Sequence, residues 1–237
     1  MIGTVADDPE ALARAAAAWF ARTLAASEGS VAVALSGGST PKRLYEILAE
    51  EPLRSVVPWE RVHFFLGDER FVPESDLRSN MRMIRTAMLD RVSVPPGNVH
   101  ALPTDGVTVE QAAAQYEAAL RSFYGDAALD PARALFEIVL LGLGTNGHTA
   151  SLFPGEPVLE ERTRWVAPVA PPGEPVRVTM TYPALQSAHY AAFLVAGAEK
   201  APMLARLRAG DADIPAGRYE PRGELLLFAD RAASGQA

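Results

Sequence analysis

The chain has 237 residues, 49% hydrophobic and 22% charged, so it carries enough apolar material for a packed core. It has no cysteine, which excludes disulfides, thiolate catalysis and cysteine-held zinc. A net charge of −7 argues against a nucleic-acid surface, and no apolar run reaches the roughly 18 residues of a membrane-spanning helix. At the N-terminus, Asp7, Asp8 and Glu10 stand where a secretory signal would carry basic residues, so the expected compartment is the cytoplasm.

The first element is a helix. Asp8 is a good N-cap, Pro9 fits the first helical position, and Leu12, Ala16, Trp19, Phe20 and Thr23 recur on one face. Short apolar runs then mark strands at 30–35, 61–66, 136–141, 164–169, 176–181, 190–195 and 224–229. Helical patterns alternate with them at 41–50, 79–90, 108–124 and 197–209. Near-continuous apolar strands alternating with helices predict a mostly parallel sheet covered on both faces. The Pro-rich piece 169–176 reads as a loop. No internal repeat or linker divides residues 1–237, so one α/β domain is expected.

The strand at 30–35 runs into Ser36-Gly37-Gly38-Ser39-Thr40, with Pro41 opening a helix. Glycines let the backbone approach a ligand, and the unpaired amides of a helix start attract anions. Thr40 is the expected N-cap. Lys42 and Arg43 sit in the first helical turn, where cations oppose the helix dipole unless an anion is bound; solvation of both side chains is an equal alternative. The stretch is neither a Walker A loop nor a G-x-S-x-G elbow.

The strand at 61–66 ends at Gly67-Asp68-Glu69-Arg70. Asp68 and Arg70 are candidates for the crevice at the strand ends, whereas Glu69 reads as part of a solvated loop. After the strand at 136–141 comes "GLGTNGH". Its G-x-G-x-x-G spacing (Gly142, Gly144, Gly147) matches a dinucleotide turn, but Pro154 and Pro157 leave no room for the long helix such a turn needs. The better reading is a turn that presents His148, an imidazole able to act as a general base near neutral pH. His63 alternates with apolar neighbours and reads as structural. His100 and His189 have no partner at metal-ligand spacing.

"SGGSTP", "GDERFVP…SN" and "GLGTNGHTASLFPG" together resemble the 6-phosphogluconolactonase family, part of a group that also holds glucosamine-6-phosphate isomerases. The resemblance runs from Val31 to Asp230 and includes "VRVTMTYPALQSA" and "LVAGAEKAPML". It implies a Rossmann-like three-layer α/β/α sandwich and hydrolysis of 6-phospho-D-glucono-1,5-lactone, a step of the oxidative pentose phosphate pathway. By the same resemblance, His148 activates water, Arg70 stabilises the oxyanion, and Asp68 lies in the substrate crevice. Gly37, Gly38, Ser39 and Thr40 form the phosphate loop, with Arg177 and Lys200 as basic phosphate ligands. It implies no metal and no cofactor. The expected partner is the small sugar-phosphate lactone, not nucleic acid or membrane, and the expected state a monomer or weak homodimer.

Two residues depart from the family pattern. The turn usually reads D-G-H, and here it is Asn146-Gly147-His148, so position 146 is expected to shape the turn without supplying charge. The isomerase branch carries a glutamate five residues after the histidine, where this chain has Phe153. That favours the lactonase over amino-sugar phosphate isomerisation. A sugar-phosphate sensor is the other alternative, but residues 1–30 leave no room for a helix-turn-helix.

Overall fold

In the computed structural model, which describes residues 1–235, six parallel strands form the central sheet in the order β1-β9-β8-β5-β2-β3. These are β1 (Ile2–Ala6), β2 (Val31–Leu35), β3 (Val62–Leu66), β5 (Phe136–Gly142), β8 (Ala188–Val195) and β9 (Glu224–Asp230). A smaller antiparallel sheet joins β4 (Asp68–Arg70), β7 (Arg177–Met180) and β6 (Val166–Val169) in the order β4-β7-β6. The predicted strands at 164–169 and 176–181 therefore exist in shortened form, but outside the parallel sheet. Neither β1 nor β4 was expected.

Apolar residues cover both faces of the central sheet. On one face Val33, Leu35, Phe64, Leu66 and Ile138 pack against α1 (Pro9–Ala26), α2 (Ser39–Leu48) and α4 (Asn80–Ala87). On the other, Ala34, Phe65, Val139 and Phe193 pack with α5 (Val109–Tyr124), α7 (Ala201–Arg208) and the small sheet. Adjacent residues of one strand thus both find a core, which is why these strands read as continuous apolar runs. Two short helices, α3 (Leu53–Val56) and α6 (Tyr182–Leu185), complete the set. Among the described residues, no helix is long and apolar enough to cross a membrane.

Helix boundaries follow local chemistry. Asp8 caps α1 through its carboxylate on the Ala11 amide at 2.7 Å, as expected. The buried stripe of α1 ends on Leu24, with Thr23 only half-buried. A capping box of Thr108 and Gln111 starts α5, and Gly125 at φ 80° ends it. The N-cap of α2 is Gly38, not Thr40. At φ 107° and ψ 168° that position suits only glycine, so the helix begins two residues earlier than the Thr40 hydroxyl cap would place it.

Two buried tyrosines finish the strands that carry the site. Tyr45 Oη receives the Ser36 amide at 3.0 Å and donates to the Ser36 carbonyl at 2.8 Å. Tyr116 Oη does the same at Leu66, receiving the amide at 2.6 Å. Each hydroxyl satisfies a backbone pair at the carboxyl end of its strand, and so fixes where the following loop departs. Burial pushes both phenols well above their ordinary pKa.

Candidate active site

The loops after β2, β3, β5 and β8 converge at the carboxyl ends of the strands, where ligands of open α/β sheets bind. They enclose a cleft of about 290 Å³, near the lower end for small-molecule sites. Gly37, Gly38, Ser39, Thr40, Asp68, Arg70, His148, Arg177 and Lys200 all line it. Asn146 and Gly147 do not line the cleft but form the turn that carries His148.

That turn is locked from several sides. The Gly147 amide donates to the Gly144 carbonyl at 3.0 Å, and the Gly144 amide to the His148 carbonyl at 2.8 Å. Gly147 sits at φ 81°, and a Cβ there would lie 2.6 Å from the Ile214 Cβ. The Gly147 carbonyl receives the Ala216 amide at 2.9 Å. A Cβ at Gly144 would enter the imidazole ring. Both glycines are therefore steric requirements of the histidine's position, not a nucleotide fingerprint. Among the described residues, the chain from Leu143 to Trp165 holds only one 3₁₀ turn, Pro157–Glu160, in agreement with the two prolines.

Asn146 does more than shape the turn. Its Oδ1 accepts the His148 amide at 3.2 Å and lies 2.6 Å from His148 Nδ1. An oxygen that already accepts a backbone N–H is the acceptor for the ring as well, so Nδ1 carries the proton. Nε2 is left with its lone pair. Phe153 lies against the imidazole with ring centroids 4.4 Å apart. Burial lowers the His148 pKa from its ordinary value; Asp68 opposes this, while Arg177 and Lys200 add to it and Glu174 opposes it. The net result favours a neutral imidazole.

The strand β4 brings Asp68 and Arg70 to the cleft by pairing with β7, where Arg70 lies opposite Arg177 and Asp68 opposite Thr179. Sequence reasoning assigned Arg70 and Arg177 to different ends of a substrate, but the register places them side by side. Like charges opposed across a ladder are unfavourable without a counter-charge. Asp68 supplies part of one: its Oδ2 lies 3.6 Å from Arg177 Nη1 and accepts from Ser151 Oγ at 2.5 Å. Glu174 accepts from Arg177 Nη2 at 2.8 Å. Among the described residues, Arg177 Nε and Thr149 Oγ1 are buried without a hydrogen-bond partner.

Glu69 is not the solvated residue the charged triplet suggested. It is 4% exposed, and its carboxylate accepts the amides of Arg70, Asn80 and Met81, each at 2.8 Å. Ser79 Oγ donates to it at 3.1 Å. Burial raises its pKa, and the three amides hold it down. A carboxylate at the start of α4 also suits the helix dipole. Asn80, another residue without an assigned role in the sequence, ties the loops together. Its Nδ2 donates to the Asp68 carbonyl at 2.9 Å, its Oδ1 accepts from Arg70 Nη1, and a Cβ at Gly37 would collide with its amide. The Ser-Asn pair of "GDERFVP…SN" was the signal available for it.

At the helix start, the amides of Ser39 and Thr40 have no acceptor within the described residues. Lys200 stands close by, since the loop before it (Ala196, Gly197) shares a surface recess with Ser39 and Thr40. Buried Asp230 holds that loop through the Gly197 amide at 3.1 Å. Lys200 forms no ion pair among the described residues, in contrast to Arg43. Arg43 binds Glu10 at 2.7 Å and Glu46 at 3.0 Å and is structural. Lys42 is half-exposed and 3.9 Å from Glu46. His63 and His100 also prove structural, their ring nitrogens 3.0 Å apart and the His100 ring stacked 4.0 Å from Phe65.

Comparison with known proteins agrees with this geometry. Residues 7–228 match the family described as glucosamine-6-phosphate isomerases/6-phosphogluconolactonase. A 6-phosphogluconolactonase of Nostoc sp. is 44% identical over 213 residues, covering 88% of this chain and 85% of the relative. One from Streptomyces coelicolor is 37% identical and covers 97% and 92%. The crystal structure of a 6-phosphogluconolactonase from Thermotoga maritima is 30% identical, with a TM-score of 0.82 over 97% of this chain and 99% of that one. A monomeric glucosamine-6-phosphate deaminase shares the fold at 20% identity and a TM-score of 0.83. With its central sheet, its glycine-framed histidine and these relatives, the chain belongs to the glucosamine-6-phosphate isomerase/6-phosphogluconolactonase family.

Proposed function

We propose that the chain hydrolyses 6-phospho-D-glucono-1,5-lactone to 6-phosphogluconate in the cytoplasm, with His148 as the base. The observation that carries this reading is the imidazole itself: Nδ1 is held by Asn146, and Nε2 is free in a cleft lined by Arg70, Arg177 and Lys200. His148 Nε2 takes a proton from water as the water oxygen bonds to C1. The resulting oxyanion is stabilised by the guanidinium of Arg70. Collapse breaks the bond from C1 to the ring oxygen, which receives the proton back from the imidazolium. A positioned base contributes about 10²–10⁴-fold, and fixed donors at an oxyanion a further few kcal/mol.

The phosphate takes no part in bond making. It docks on the amides of Ser39 and Thr40, with Lys200 and Arg177 beside them, and its binding energy sets the lactone carbonyl against His148. Asp68, anchored by Ser151, faces the sugar hydroxyls as an acceptor. Phe153 fills the face of the imidazole where an isomerase would want an acid, so the amino-sugar reaction is disfavoured.

The test is lactone opening by the purified protein, corrected for spontaneous hydrolysis and run with a chelator present. Acceleration is expected for the phosphorylated lactone, with a heavy loss of kcat/KM for gluconolactone. A rate equal to background, or one that depends on added metal, would refute the reading.

A further inference from the structure

The loop 170–176 ends in a turn in which the Glu174 amide donates to the Pro171 carbonyl, with Gly173 at φ 77°. It delivers Glu174 onto Arg177, three residues further on. The two partners differ sharply in freedom. The Arg177 side chain is 11% exposed and lies over Phe153 and beside Asp68, so it is fixed. The Glu174 side chain is 50% exposed and has no other hydrogen bond among the described residues. Among the described residues it is also the sole acidic one lining a second recess of about 390 Å³ that opens beside the cleft, which Lys42, Arg70, Arg78 and Arg177 line as well.

Catalysis by this cleft needs Arg177 to face an anion, yet Glu174 already occupies one arm of its fork. The protein contains its own competitor for the site. We propose that Glu174 is a displaceable stand-in for the substrate's negative charge: it neutralises the opposed Arg70–Arg177 pair when the cleft is empty, and it swings into solvent when a phosphate monoester enters. This rests on the sugar-phosphate reading of the cleft. A fork that is free only after displacement favours dianionic ligands over neutral ones, which cannot replace the lost ion pair. It also speeds departure of the anionic product, because Glu174 returns to the guanidinium as the product leaves.

The experiment compares wild type, Glu174→Gln, Arg177→Ala and the double variant. Inorganic phosphate is the calorimetric probe, and lactone kinetics with product inhibition are measured in parallel. Glu174→Gln should tighten phosphate binding about two- to fivefold, the range open to a half-exposed ion pair. KM and the product inhibition constant should fall with it, and the gain should appear in KM rather than kcat. In the Arg177→Ala background the Gln substitution should have no such effect. Unchanged or weaker phosphate binding in Glu174→Gln would overturn the proposal, as would an equal effect with and without Arg177. Because phosphate binding is read without the reaction, a protein that binds phosphate in this pattern yet fails to open the lactone would refute the proposed activity and leave the competition intact.

Discussion

Replacing Asn146 by aspartate places a negative charge on the atom that lies 2.6 Å from His148 Nδ1. The carboxylate and imidazolium charges would then be centred roughly 4 Å apart. Their attraction is about 1 kcal/mol in water and about 4 kcal/mol at an effective dielectric of 20. Asn146 is exposed and His148 half-buried, so the lower part of that range applies, about 1–2 kcal/mol. At about 1.4 kcal/mol per pH unit, Asn146→Asp should raise the kinetic pKa of His148 by roughly one unit. The sign follows from the role of the group. A base works in its neutral form, and in the wild type burial together with Arg177 and Lys200 keeps that form populated below the ordinary histidine pKa. The acidic limb of kcat/KM should therefore lie below about pH 6.5 in the wild type and move upward in Asn146→Asp, costing activity at low pH. Asn146→Ala, which loses the ring contact, should lower kcat and leave the limb nearly in place. The assay is kcat/KM against pH, corrected at each pH for spontaneous opening. An acidic limb that stays put in Asn146→Asp would refute the ring contact and leave position 146 as a turn-former only.

Glu69→Gln keeps the shape of the side chain but sets an amide N–H against backbone donors, so thermal melting should show a loss of about 1–3 kcal/mol, with kcat/KM falling as Arg70 and Asn80 lose their anchor. Unchanged stability would mean that the carboxylate is dispensable to the α4 start. For the histidine pair, burial and His63 depress His100 from 6.5 to about 4 in the folded state, so the unfolded chain binds the proton more tightly. Melting temperature should fall as pH drops from about 6.5 toward about 4, and His100→Phe should flatten that slope; an identical slope in the variant would place the acid sensitivity elsewhere.

What the sequence disclosed depended on whether the deciding contact was local. Strands buried on both faces showed as unbroken apolar runs, and Asp8 with Pro9 marked α1 without tertiary help. By contrast, β1 is exposed along nearly its whole length and has no apolar face to betray it; only pairing with β9 makes it a strand. Likewise β4 is three residues of charge, extended because β7 lies alongside. The same three residues misled the reading of Glu69, since a D-E-R triplet looks solvated until the amides of α4 close over its middle member. At the site, the positions of Gly37, Gly144, Gly147 and His148 were legible because steric demand ties them to fixed spacings. The side-by-side placement of Arg70 and Arg177 was not, because it depends on the register of strands more than a hundred residues apart. Nor was the contact of Asn146 with the ring, which depends on a side-chain rotamer.

The central claim is that neutral His148 is the base of a lactone hydrolase. Its most direct measurement is kcat of His148→Ala on 6-phosphogluconolactone above the spontaneous rate, with inorganic phosphate binding to the same preparation as a check that the cleft is intact. The account predicts a fall in kcat of about 10²–10⁴-fold with phosphate affinity largely kept. A variant that binds phosphate and turns over within tenfold of wild type would contradict it.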